Sequence, residues 1–89
     1  MSEKIITGKT DSGFEFSVPE VALDDWELLE AAILLDEGNR TGYVTASRQL
    51  LGSEGAKALK EHCRGENGRV KLSDMAKELN DIFSKLSKN

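Results

Sequence analysis

Phe14-Glu15-Phe16-Ser17-Val18-Pro19, followed four residues later by Asp24-Asp25-Trp26-Glu27-Leu28-Leu29-Glu30, is the stretch that decides the fold. The first half alternates apolar and polar residues, the period of a strand with one buried face. Phe14, Phe16 and Val18 therefore share a face, and Pro19, unable to donate a ladder hydrogen bond, closes the strand. Upstream, Lys4-Ile5-Ile6-Thr7 supplies β-branched partners, and Asp11-Ser12-Gly13 is turn chemistry. These residues predict a β-hairpin over 4–18. A lone two-stranded hairpin is marginal in water, so it must lie on helices or pair with another chain.

The second half switches to a helical period. Asp24 is expected as N-cap with Glu27 reaching back in a capping box, and Leu23 and Leu28 fit a hydrophobic staple. Trp26, Leu29 and Ile33, with Leu28, Ala32 and Leu35, form a wide apolar stripe over a helix at about 25–37, and Gly38 is a natural C′ residue. Trp26 is expected to be the largest core side chain. Three further helices follow. Thr41 caps one over 42–51 with Tyr43, Val44, Ala46, Leu50 and Leu51 inward, and Gly52 stops it. Ser53 caps the next, over 54–64, where Ala56, Leu59 and Cys63 recur at helical spacing before Gly65. Arg69-Val70-Lys71-Leu72 reads as an extended linker, and Ser73 caps a last helix at 74–87 with Met75, Leu79, Ile82 and Leu86 in one narrow stripe. The fold class is α+β, mainly α: an N-terminal hairpin and about four helices in one small domain, 1–89.

Length and composition bound what such a domain can be. Eighty-nine residues, 38% hydrophobic and 31% charged, give a thin core, too apolar for a disordered tail and too polar for a membrane protein. Met1-Ser2-Glu3-Lys4 lacks the basic start and long apolar block of a signal peptide, and Cys63 is the only cysteine, so a cytoplasmic setting without disulfides is expected. The net charge of −4 is partitioned: residues 1–37 hold two bases against ten acids, and residues 38–89 hold ten bases against six. Either the halves pack together and neutralise each other, or acidic and basic surfaces join separate copies head to tail, or the basic half binds nucleic acid, against which the acidic pI argues.

No catalytic, cofactor or metal residues are expected. Gly8-Lys9-Thr10 resembles the tail of a phosphate-binding loop, but Glu3 stands where its first glycine belongs. His62 and Cys63 are neighbours on a helix and point about 100° apart, too divergent for a thiolate–imidazole pair. The acids from Asp24 to Glu30 are explained by helix-start capping and surface exposure, or by an interaction surface for a basic partner. The segment around Gly52 has the layout of a helix-turn-helix, with Lys57, Lys60 and Arg64 as one basic stripe. Two acidic readers, Glu54 and Glu61, and the acidic pI make nucleic acid a poor partner, so a DNA-binding regulator stands as the alternative.

Gly13-Phe14-Glu15-Phe16, Leu23-Asp24-Asp25-Trp26-Glu27-Leu28-Leu29-Glu30, Asp36-Glu37-Gly38, Leu50-Leu51-Gly52-Ser53-Glu54-Gly55, Leu59-Lys60-Glu61-His62-Cys63-Arg64 and Gly68-Arg69-Val70 occur in that order. With the helix around Met75 and Phe83, they resemble the short tail assembly chaperones of long-tailed, siphovirus-type phages and of Gram-positive prophages. The resemblance covers nearly the whole chain. It implies a non-catalytic protein of the host bacterial cytoplasm, absent from the mature virion. Such a protein binds the tape measure protein, keeps it soluble and helps recruit tail tube protein. It also implies homo-oligomers and a frameshifted, C-terminally extended form, for which Ser84–Asn89 would end the shorter product. A structural head or tail component of a phage is the remaining alternative. Phe14, Phe16, Trp26, Tyr43 and Arg69 are the candidate partner-binding residues, each with a competing role in core or turn.

Overall fold

The computed structural model describes residues 4–86. Strands β1 (Ile5–Lys9) and β2 (Glu15–Pro19) pair antiparallel in the register Ile5↔Pro19 to Lys9↔Glu15. Thr10 N–H donates to the Phe14 carbonyl at 2.8 Å and Gly13 N–H to the Thr10 carbonyl at 2.9 Å. Gly13 sits at φ 99°, a conformation open to glycine at no steric cost. Phe14, Phe16 and Val18 are buried on one face, as their alternation predicts. The Phe16 ring lies over Gly8, where a Cβ would come within 2.5 Å of it.

Pro19 closes the hairpin but does not lead directly into the first long helix. A 3-10 helix, Glu20–Asp24, intervenes and buries Ala22. It absorbs Leu23 and Asp24, which removes both from the roles expected of them. Asp25 is the N-cap of helix α1 (Trp26–Asp36), its carboxylate accepting from Glu27 N–H at 3.3 Å, and Leu23 is exposed, not part of a staple. At the other end Gly38, at φ 82°, supplies the left-handed residue, with Gly38 N–H on Leu35 O and Asn39 N–H on Leu34 O.

Helix α2 (Thr41–Cys63) holds two of the expected helices as two helical stretches either side of a kink, so by element the described residues hold three α-helices, where about four were expected. The break lies at Gly52 alone (φ 75°, ψ 171°). One glycine interrupts the path without a loop, and Ser53 makes no capping bond. Asn39, not Thr41, serves the helix start: its Oδ1 accepts from Thr41 N–H at 3.1 Å and Thr41 Oγ1 at 2.7 Å. Helix α3 (Leu72–Leu86) begins ahead of Ser73; its expected end at Ser87 lies outside the described residues. Between α2 and α3 the chain turns tightly, with Arg64 bridged to Val70 and Gly65 N–H on the Arg69 carbonyl.

The core lies where the inner hairpin face meets α2 and α3, with α1 packed along α2. Leu50, Leu59, Leu79, Ile82 and Val18 are fully enclosed, each contributing roughly 1.5–3 kcal/mol of burial. At Gly42 the helices come so close that a Cβ would lie 2.7 Å from the Ala31 carbonyl oxygen of α1. Among the described residues no helix is long and apolar enough to cross a membrane.

Candidate functional site

Three features are candidates for function: a polar cluster under the hairpin tip, a basic cleft and an uncovered helix face. The cluster is built around Glu78, which stands on the apolar side of α3, four residues before Ile82, and is only 5% exposed. Its Oε1 accepts from Thr10 Oγ1 and Ser12 Oγ, both at 2.8 Å. Thr10 Oγ1 in turn accepts from Phe14 N–H at 3.0 Å. Ser12 Oγ also lies 2.9 Å from His62 Nε2, and the His62 ring is tilted against Phe14 with centroids 5.3 Å apart. With the Ser12 hydrogen given to Glu78, the His62 contact is an Nε2–H donating to Ser12. The physical effect of the cluster is to fasten the hairpin tip to α2 and α3. Lys85, hydrogen-bonded to Asp81 at 2.8 Å and Asp11 at 2.9 Å, extends this fastening, and both carboxylates hold its ammonium above the usual lysine range.

Cys63 is half-buried against the core; burial, then the nearby Glu78 and Asp74 charges, pushes its thiol up. A raised thiol is a poor nucleophile and a poor metal ligand at neutral pH. Among the described residues no group of three or more His, Cys, Asp and Glu side chains is placed to hold a metal ion. Arg64, counted in the basic stripe, is engaged elsewhere: it pairs with Glu61 at 2.6 Å and donates to the Gly68 carbonyl at 2.7 Å. The break at Gly52 also lacks the three- or four-residue turn of a helix-turn-helix.

The cleft is the larger concavity, about 650 Å³, between the two parts of α2 and the start of α3. Tyr43, Val44, Ala56, Met75 and Leu79 give it an apolar lining, and Arg48, Lys57 and Lys60 are its charged residues; no carboxylate lines it. None of these three bases is in an ion pair among the described residues.

The uncovered face belongs to α1. Leu28 and Ala31 are buried against α2, with Leu35 half-buried beside them. Trp26, Leu29 and Ile33, at i, i+3 and i+7, point the other way and are 72%, 52% and 50% exposed. Trp26 is thus not a core residue. The wide stripe read from the sequence is two opposed stripes, and α1 is apolar on both sides, the pattern of a helix covered all round. At about 100° per residue, Glu30 flanks the outer row on one side and Asp36 on the other. Asp24, Asp25, Glu27, Glu30, Asp36 and Glu37 make no ion pair among the described residues. Of the ion pairs among the described residues, Lys85–Asp11 alone joins the two halves of the chain, so their mutual neutralisation by direct pairing is confined to it.

The five candidate partner-binding residues do not converge. Phe14 and Phe16 are in the core, Trp26 is on the outer face of α1, Tyr43 is half-buried at the cleft, and Arg69 lies in the α2–α3 turn, its carbonyl holding Gly65 N–H. No family model, curated protein or solved structure matches the chain.

Proposed function

We propose that this chain is a non-catalytic tail assembly chaperone: it binds the tape measure protein, keeps it soluble and helps gather tail tube protein around it. The observation that carries the reading is the outward row Trp26, Leu29 and Ile33, an apolar surface flanked by carboxylates on a domain whose own core is already closed. A long helical client exposes apolar stripes until the tube encloses it. A holder for such a client needs apolar surface to cover the stripe and like charge to keep the complex dispersed. An amphipathic client helix laid against α1 is the helix-on-groove mode of recognition. The polar groups under the hairpin tip are spent on one another, which suits a binding module and gives an enzyme reading no support. The tail-specific part of the reading rests on the resemblance of the ordered sequence segments.

The test is co-expression with the tape measure protein encoded in the same genome. The expected result is a soluble complex that co-purifies, and its loss with Leu29→Asp. A client that stays insoluble with the intact chain, with no complex recovered, refutes the proposal.

A further inference from the structure

The α2–α3 cleft carries charge of one sign over an apolar floor. Tyr43, Ala56 and Met75 line it half-buried and Val44 lines it 53% exposed, while its charged residues, Arg48, Lys57 and Lys60, are all exposed bases. The neighbouring acids do not neutralise them. Glu61 is paired with Arg64 at 2.6 Å, Asp74 lines the separate concavity beside Ser12 and His62, and Glu54 is not part of the lining. Like charges held around one cleft repel each other, so a ligand that brings carboxylates relieves that repulsion as well as gaining its own attraction.

The distribution of the groups decides the class of ligand. Lys57 and Lys60 stand about one helical turn apart on the second stretch of α2, and Arg48 stands on the first stretch, beyond the Gly52 kink. Positive charge therefore runs along the cleft instead of converging on a point. A compact anion such as phosphate needs converging donors, and the buried Ser47 hydroxyl is spent on the Val44 carbonyl at 2.8 Å. A nucleic acid needs a longer run of bases and aromatic platforms, and the lining holds three bases and one aromatic ring. An amphipathic helix matches both parts: its apolar side covers the floor, and carboxylates on its flanks meet the bases.

We propose that the cleft binds an acidic amphipathic helix of a partner protein. The floor supplies burial, and the opposed charges set the orientation and make the contact weaken with salt. This surface is separate from the outer row of α1, so the chain has two binding surfaces, flanked by charges of opposite sign. The inference does not rest on the chaperone reading, and failure of client binding in co-expression would leave it intact.

The probe is a labelled helical peptide of about 18 residues, long enough to hold a helix, with leucines on one face and glutamates on both flanks. Its sibling carries lysine for every glutamate. Fluorescence anisotropy against the full chain should show the acidic peptide binding about tenfold or more tighter than the basic one, and less tightly as salt is raised. Val44→Asp, which puts a charge on the exposed part of the floor, and the double variant Lys57→Glu with Lys60→Glu should each weaken the acidic peptide by about tenfold or more, with unchanged helical circular dichroism. Leu29→Asp, on the outer face of α1, should bind it as the wild type does. Equal binding of the two peptides, no binding of either, or binding that both folded cleft variants retain overturns the proposal. Displacement of the acidic peptide by an oligonucleotide more readily than by unlabelled peptide assigns the cleft to nucleic acid and overturns it. An oligomer of the chain alone that Val44→Asp dissociates assigns the cleft to a second copy and overturns it equally. If a variant does not fold, the two peptides on the wild type decide alone.

Discussion

Trp26→Ala separates a core tryptophan from a surface one. A fully buried tryptophan covers on the order of 200 Å². Trp26 is 72% exposed, so little more than a quarter of that is covered, or about 55 Å². At about 25 cal/mol/Å² the loss is about 1.4 kcal/mol. This is an upper bound, because the unfolded chain already covers part of the area, and alanine returns a few tenths through helix propensity. The expected cost is about 1 kcal/mol, against roughly 3–5 kcal/mol for truncating a buried aromatic. Guanidinium denaturation at low protein concentration, where association does not contribute, measures it. Leu50→Ala, at a fully enclosed site, is the internal standard and should cost roughly 2–5 kcal/mol. A Trp26→Ala loss that equals or exceeds the Leu50→Ala loss would refute the placement of α1.

Three other outcomes follow from the same contacts. Gly42→Ala should destabilise by about 1–3 kcal/mol despite alanine's better helix propensity, since its Cβ would meet the Ala31 carbonyl at 2.7 Å and a backbone atom cannot swing aside; adding Leu35→Ala should recover only part. Thr10→Val keeps the shape but removes one hydrogen bond to buried Glu78 and one from Phe14 N–H, and should lower the denaturation midpoint by an equivalent of about 1–3 kcal/mol. The Arg64 guanidinium holds the Glu61 carboxyl below its ordinary value near 4.5. That contribution is present above the ordinary value and lost as pH falls through the lowered one, so Arg64→Ala should flatten the acid limb of the stability profile below about pH 4.5 and leave its shape at neutral pH unchanged.

The hairpin was legible because alternation and turn chemistry are local: Phe14, Phe16, Val18 and Gly13 carry it unaided. The last helix was legible because its apolar positions form one narrow stripe. Helix α1 misled because both its faces are apolar, and periodicity cannot say which face the rest of the chain will cover. Tryptophan's size favoured the wrong one. Asp24 and Asp25 are chemically equivalent caps, and the choice between them was made by a 3-10 helix that nothing in Glu20–Asp24 announces. Gly52 was legible as the break between two helical stretches, and what spacing did not show is that one residue of non-helical backbone suffices to separate them, so they run on as a single kinked element. The polar cluster was missed although Glu78 left a signal: a carboxylate at i−4 from Ile82 interrupts the buried side of α3. Its partners, Thr10 and Ser12, lie more than sixty residues away, a pairing that sequence spacing cannot give. The cleft bases were half seen, as a stripe with Arg64, which the structure removes by pairing it with Glu61.

Trp26 is the chain's single tryptophan, so its fluorescence reports the outer face of α1 directly. Emission and quenching by a soluble quencher should be followed while the tape measure protein is added. The expected result is a solvent-exposed, readily quenched indole in the dilute chain, becoming blue-shifted and protected on binding. An indole already shielded in the free chain, or one equally quenched with the client bound, would contradict the claim that this face is a binding surface.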